Sequence, residues 1–375
     1  MKTIKVITVI ITLSALVFSG CSKDESGDSL PDNITVGISD AISFPASGSN
    51  KSAYLGVDPL TGEDIYMHLR NIIYIGELSA DLVQDMMISL KKHNIKYAST
   101  FSYESIYDGK NKNVVVKENI SINDTIWDYC LTVSDVELGT AFQLFWNTNP
   151  LEVIAILQPK AFDFSTTRNP NAMIKIEYSE NDPDYDKTMI VSVTKIDSTS
   201  RQYMSSLKFF AGKNSDIISL YGNSTHPYMA LLNENHNNGR CFCFQARNNV
   251  PKDIAIARIA LPTILQTDMT NIWVDFSVDQ VLSDEIDIVY PNVDQTTLTQ
   301  IKDVFLAKAT GPAYFTGEQG FVSNAGNVPD DEGFTQDFMN MTGLTPWAPS
   351  EINQMTITFS TDSTVVKTNY ETFIN

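Results

Sequence analysis

His226, His236, Cys241 and Cys243 place four soft or borderline ligands within eighteen residues, the ligand number and type of tetrahedral zinc. Their spacing, His-x9-His-x4-Cys-x-Cys, departs from the paired arrangement of zinc modules. His236 lies in Asn-His-Asn-Asn-Gly, a hairpin-tip composition that carries a side chain away from its own strand faces. A turn histidine and core cysteines are therefore expected in preference to a metal centre. Asp182, Asp184 and Asp186 alternate like the first oxygen ligands of a calcium loop. Lys187 then stands where the sharp turn needs glycine, and Val193 where a bidentate glutamate closes the site, so a solvated hairpin loop is expected. Gly222-Asn223-Ser224-Thr225-His226 lacks the second glycine of a nucleophile elbow. Phosphate-cradling, dinucleotide and His-Glu-x-x-His motifs are missing from the chain. A glycosidase carboxylate pair is a spatial criterion that 45 acidic residues leave open. No cofactor is expected.

Trp127, Trp146, Trp273 and Trp347, with 15 tyrosines, are candidates for a platform on which sugar C–H faces stack. The first three fall in or beside strand-like segments and are expected in the core. Trp347, in Thr345-Pro346-Trp347-Ala348-Pro349, reads as an exposed loop aromatic and is the ligand-binding candidate. Cys241 and Cys243 flank Phe242, so on a strand both sulfurs share a face and a bridge between them is strained. Together with Cys130 they are expected as buried free thiols.

Lys2 and Lys5 precede an apolar run from Val6 to Phe18, the profile of an export signal. The run has 13 residues, too few to span a bilayer. Phe18-Ser19-Gly20-Cys21 resembles the lipobox of bacterial lipoproteins, although that family usually carries leucine where Phe18 stands. The resemblance implies a signal over 1–20 and acylation of Cys21, whose many buried CH2 groups would moor the chain to a membrane. Ser22-Lys23-Asp24-Glu25 is similar to the Lys-acidic-acidic export tag of surface lipoproteins of the Bacteroidota. It implies Lys23, Asp24 and Glu25 as a signal for display on the outer membrane surface. Asp28-Ser29-Leu30, Asp124-Thr125-Ile126, Asp197-Ser198-Thr199 and Asp362-Ser363-Thr364 resemble the O-glycosylation triplet of that phylum.

The chain carries 26 basic against 45 acidic residues, a net charge of −19. Removing the signal discards Lys2 and Lys5 and no acid, which leaves the mature chain more acidic still. Such a field repels nucleic acid. With 43% apolar and 19% charged residues among 375, the chain has the composition of a globular protein.

The elements that must hold these residues are mostly strands. Residues 21–33 read as a flexible tether. Ser79–His93 reads as a helix, with Ser79 as N-cap and a stripe of Leu82, Val83, Met86, Met87 and Leu90. Alternating segments follow at Tyr97–Tyr103, Asn113–Ile120, Trp127–Val133, Ala141–Asn147, Val153–Leu157, Met173–Tyr178 and Met189–Val193. Others are Leu207–Phe210, Ile217–Leu220, Tyr228–Leu232, Cys241–Gln245, Ile254–Leu261, Ile272–Val278 and the tail from Met355 to Lys367. A second helix is expected near 296–309, stopped by Gly311-Pro312. The expected class is mainly β, β-sandwich-like, or α+β, with antiparallel sheets and about two helices. A polar stretch near 163–170 suggests a sheet-rich α+β domain over 34–168 and a β-rich domain over 169–375.

These readings favour a lipid-anchored, non-enzymatic surface protein that binds a glycan or a protein. A glycan-degrading hydrolase with an Asp/Glu pair and a structural component of an envelope complex remain the alternatives.

Overall fold

The computed structural model describes residues 99–104, 109–122, 124–162, 171–196, 205–225, 240–306, 312–316, 320–323, 332–341, 346–360 and 364–365, with scattered positions from 66 to 84. The signal, Cys21 with its export tag, the tether, the Tyr228–Leu232 segment and both His226 and His236 lie outside them.

The fold is mainly β. One antiparallel sheet runs in sequence order: β1 (Ser99–Glu104), β2 (Asn111–Ile122), β3 (Thr125–Asp135), β4 (Gly139–Thr148), β5 (Leu151–Leu157), β6 (Met173–Ser179) and β7 (Lys187–Thr194). It continues through β8 (Ser206–Asn214), β9 (Ile217–Thr225), β10 (Cys241–Asn249), β11 (Ile254–Ala260), β12 (Ala313–Thr316) and β13 (Gly320–Ser323). β14 (Thr364–Val365) shares the β1 side of β2. β5 pairs with β6 from Leu157 opposite Ile174 to Glu152 opposite Ser179, so the strands on either side of 163–170 are neighbours in the sheet. Two-residue hairpins join β2 to β3 and β8 to β9 at one end, where Asp124 and Ser215 take positive φ, as such loops require. The connections 158–172, 195–205, 226–240 and 261–312 all fall at the other end.

Period-two alternation decides which side chains enter the core. Val114, Val133, Leu144, Val153, Ile176, Val191, Phe209, Leu220, Phe244, Ala257 and Phe315 belong to a single buried cluster. That cluster also takes in Tyr66, Leu69 and Ile72 from the helical residues between 66 and 84, and Val278, Val281 and Leu282 of a later helix. Helices, in place of a second sheet, thus cover the inner face. Tyr66 reaches Phe315 on β12, 6.0 Å between ring centroids, while Val114 of β2 closes the same cluster from the far side of the sheet. Gly222 faces this core, and a Cβ there would lie 2.4 Å from that of Phe209. Its glycine lets β8 and β9 carry a phenylalanine at that level.

Among the described residues, the helices beyond 66–84 are α1 (Pro159–Phe162), α2 (Ile272–Asp275), α3 (Val278–Val289), α4 (Gln295–Leu306), α5 (Glu332–Met339) and α6 (Pro349–Gln354). Among the described residues none is long and apolar enough to cross a membrane. The expected strand at Ile272–Val278 is instead α2 leading into α3. Its alternation survives as one bridge, Ala260 to Ser277, with the Leu261 N–H donating to the Phe276 carbonyl at 2.7 Å. Ser79 is not an N-cap, because residues 72–77 are already helical and its hydroxyl donates back to the Ile75 carbonyl at 2.7 Å. Among the described residues of the tail, 355–360 runs without strand pairing and Thr364–Val365 joins the sheet.

A fully buried ion pair closes the β3–β4 end of the core. Lys112 Nζ meets Asp135 Oδ2 at 2.6 Å with both side chains at 0% exposure, and also donates to the Ala161 carbonyl of α1 at 3.2 Å. Burial alone raises the Asp135 pKa. Hydrogen bonds from Lys112 and from the N–H groups of Leu138 and Glu137 outweigh it and hold the carboxyl below its ordinary value.

Candidate functional site

The outer face of the sheet is unlike the inner one. Two cross-strand rows traverse β6–β11. The first places Glu177, Ile190, Phe210, Tyr221, Gln245 and Arg258 opposite one another in turn. The second runs Lys175, Ser192, Lys208, Asn223 and Cys243. Aromatic and cationic side chains are therefore gathered on one face of an otherwise acidic chain.

A hairpin, a strap and two helices frame this band. The β6–β7 hairpin folds Tyr185 back over β8, where Gly212 seats it: a Cβ on Gly212 would lie 2.6 Å from the tyrosine ring. Tyr185 packs edge-on against Phe210 at 5.4 Å, Phe210 stacks on Tyr221 at 5.0 Å, and Tyr221 meets Trp347 at 5.5 Å. Such pairs add about 0.5–1.5 kcal/mol each beyond area burial. Segment 346–360, which contains α6, lies across the outer face as a strap. Asn223 Nδ2 donates to the Trp347 carbonyl at one end. At the other, Gln143 Nε2 donates to the Ser360 carbonyl at 3.0 Å and Gln143 Oε1 accepts the Ser360 N–H at 2.8 Å. On the β11 side, α5 lays Phe334 over Arg247 and Phe338 over Arg258, while Trp273 of α2 lies 4.8 Å from the Arg258 guanidinium.

The charges are tuned by this packing. Lys208 Nζ sits 4.2 Å from the Trp347 ring centroid, a cation–π geometry. Burial lowers the Lys208 pKa, Lys175 adds to that, and Glu177 and Glu351 oppose it. Burial takes Arg258 down to about 10, still charged at neutral pH. Burial also pushes the Tyr185 and Tyr221 hydroxyls up. Gln245 is completely buried; its Oε1 accepts from Arg258 Nε at 2.7 Å, and its Nε2 has no partner.

The residues singled out in the sequence fall in different places. Trp347 is half-buried on the strap and packed against Tyr221 and Lys208, so it is not a free loop aromatic. Trp127 and Trp146 are core residues, Trp146 stacking on Tyr129 at 5.0 Å. Cys130, Cys241 and Cys243 are buried free thiols. Burial pushes Cys241 up to about 12 and Cys243 well above its usual value, which keeps both protonated. Asp182, Asp184 and Asp186 form the β6–β7 hairpin. Asp182 accepts the N–H groups of Asp184 and Tyr185 at 2.9 and 3.1 Å, and Asp186 accepts that of Ser215 at 2.7 Å. Gly222 to Thr225 is straight β9 strand. Thr125, in the Asp124-Thr125-Ile126 triplet, is exposed at a hairpin.

Tyr185, Phe210, Tyr221, Gln245 and Arg258 carried no motif. Their signal is alternation: Lys208 and Phe210 interleave with Leu207 and Phe209, and Gln245 and Arg258 interrupt apolar strands. Without the register across 195–205 and 226–240, that signal does not show that they meet. Compared with protein-family models, curated proteins and solved structures, the chain matches none.

Proposed function

We propose that the chain is a lipid-anchored surface lipoprotein, held at the outer membrane through acylated Cys21, whose outer sheet face binds a glycan. The observation that carries this reading is the band Tyr185–Phe210–Tyr221–Trp347 with Lys208 and Arg258 beside it. Half-buried aromatics in a row offer apolar area for sugar C–H groups, and the cations and amides between them supply hydrogen bonds. A face of this kind recognises an extended ligand without needing a deep cleft.

Binding is favoured over hydrolysis by the state of the nearby carboxylates. Glu177 is engaged by Lys175 at 2.7 Å, and Glu351 accepts the Ala348 N–H at 3.1 Å within the strap. Among the described residues, Asp268 is held below its ordinary value by hydrogen bonds with Thr270, Asp294 by those with Thr297, and Asp135 as above. A glycosidase acid needs the opposite shift.

The test is a polysaccharide panel presented to the chain and to Trp347→Ala. Binding by the chain, weakened by about tenfold or more in Trp347→Ala through loss of one stacking surface, supports the reading. Release of reducing ends from any bound polymer, or binding that Trp347→Ala leaves unchanged, contradicts it. The anchor is tested separately by Cys21→Ala, which is expected to release the chain from the membrane fraction.

A further inference from the structure

Arg258 and Gln245 form a unit whose hydrogen-bonding capacity the fold leaves unused. Arg258 is half-buried, with its guanidinium 4.8 Å from the Trp273 ring and 5.4 Å from that of Phe338. Among the described residues no carboxylate lies within ion-pair distance of it. That is notable in a chain with 45 acidic against 26 basic residues, and it contrasts with Arg240 and Arg247, which face Glu285 and Asp337 at 3.8 and 3.9 Å. Its one hydrogen bond is from Nε to Gln245 Oε1 at 2.7 Å, leaving the terminal N–H groups of the fork. Gln245 is 0% exposed, and its Nε2 donor is buried without a partner. A buried unpaired amide donor costs about 1–3 kcal/mol, a cost that an acceptor arriving at the site removes. A charge and a set of N–H donors therefore share one amide–guanidinium unit at the end of the aromatic row, beside Tyr221.

We propose that Arg258 and Gln245 are a carboxylate-binding subsite of this face, taking the acid group of a uronic-acid glycan. The inference rests on the glycan-binding reading and names the substrate class. A single cation with a planar fork suits one planar, singly charged group. The flanking rings of Trp273 and Tyr221 suit the sugar ring that bears it.

The experiment measures binding of the chain to uronic-acid polysaccharides and to their carboxyl-reduced forms. The acid forms are expected to bind roughly tenfold tighter or more, the loss expected for one charge-assisted hydrogen bond. Gln245→Glu supplies Arg258 with an internal carboxylate. It is expected to erase the preference for the acid form while the melting temperature is kept or raised, which separates loss of the subsite from loss of the fold. Equal binding of acid and reduced forms overturns the subsite and leaves glycan binding standing. An acid preference that survives in Gln245→Glu also overturns it. Binding of neither form, on a panel that includes neutral glycans, overturns both readings.

Discussion

Gly212 shows how one missing side chain can build a site. Its position on the outer face of β8 is occupied by the Tyr185 ring, 2.6 Å from where a Cβ would be, so the hairpin can bring Tyr185 flush against Phe210. Gly212→Val is expected to dislodge Tyr185 and to cost about 1–3 kcal/mol through overpacking. Denaturant unfolding would measure the loss, and glycan affinity should fall with it. The Lys112–Asp135 pair makes a different point at the same scale. Lys112→Met leaves a buried carboxylate alone and is expected to cost about 3–5 kcal/mol, whereas Lys112→Met with Asp135→Leu should recover most of that. Because the fold lowers the Asp135 pKa, the pair's contribution is complete above the unfolded aspartate value of about 3.9. It is lost as pH falls through the lower folded value. Acid unfolding curves should show this dependence in the native chain and lack it in the double variant.

At the scale of elements, the strap at 346–360 is what turns a bare sheet face into a framed one. Asn223 and Gln143 are buried polar residues on β9 and β4, and their partners are backbone groups of the strap. Gln143→Ala with Asn223→Ala should cost about 1–3 kcal/mol, with the strap cleaved by protease before the sheet. Protection equal to that of the native chain would show that packing alone holds the strap. The strands were largely legible because alternation is a local signal: the expected Ala141–Asn147 is β4, Gly139–Thr148, and Met173–Tyr178 is β6, Met173–Ser179. α5 and α6 were missed. Each is short and, among its described side chains, buries only two, Phe334 and Phe338 on α5 and Pro349 and Ile352 on α6, too few for a periodic stripe. α3, with Val278, Val281, Leu282 and Ile286 buried, was missed as well, because its first residue was read as the end of a strand. Ile272–Val278 read as a strand because Ile272, Val274, Phe276 and Val278 alternate. In the fold Val274 is 71% exposed, and the segment turns once before α3. Trp347 was visible as a candidate, but its partners were not, since they come from β8 and β9, more than a hundred residues earlier.

For the molecule as a whole, one sheet turns its inner face to helices, and the proposed binding band lies on the outer face of β6–β11. The inner cluster takes in residues from β2 to β12, and β5 pairs with β6. Long connections gathered at one end and a strap across the outside leave the aromatic and cationic band as the chemically distinctive surface. The most direct measurement of this account is amide hydrogen exchange of the chain with and without a bound uronic-acid polysaccharide. Slowed exchange should concentrate in β8–β11 and the strap at 346–360, and at the same ligand concentration it should be markedly smaller in Trp347→Ala. Protection that appears instead at the β3–β4 hairpin or on α3 and α4, with β8–β11 unchanged, would contradict it.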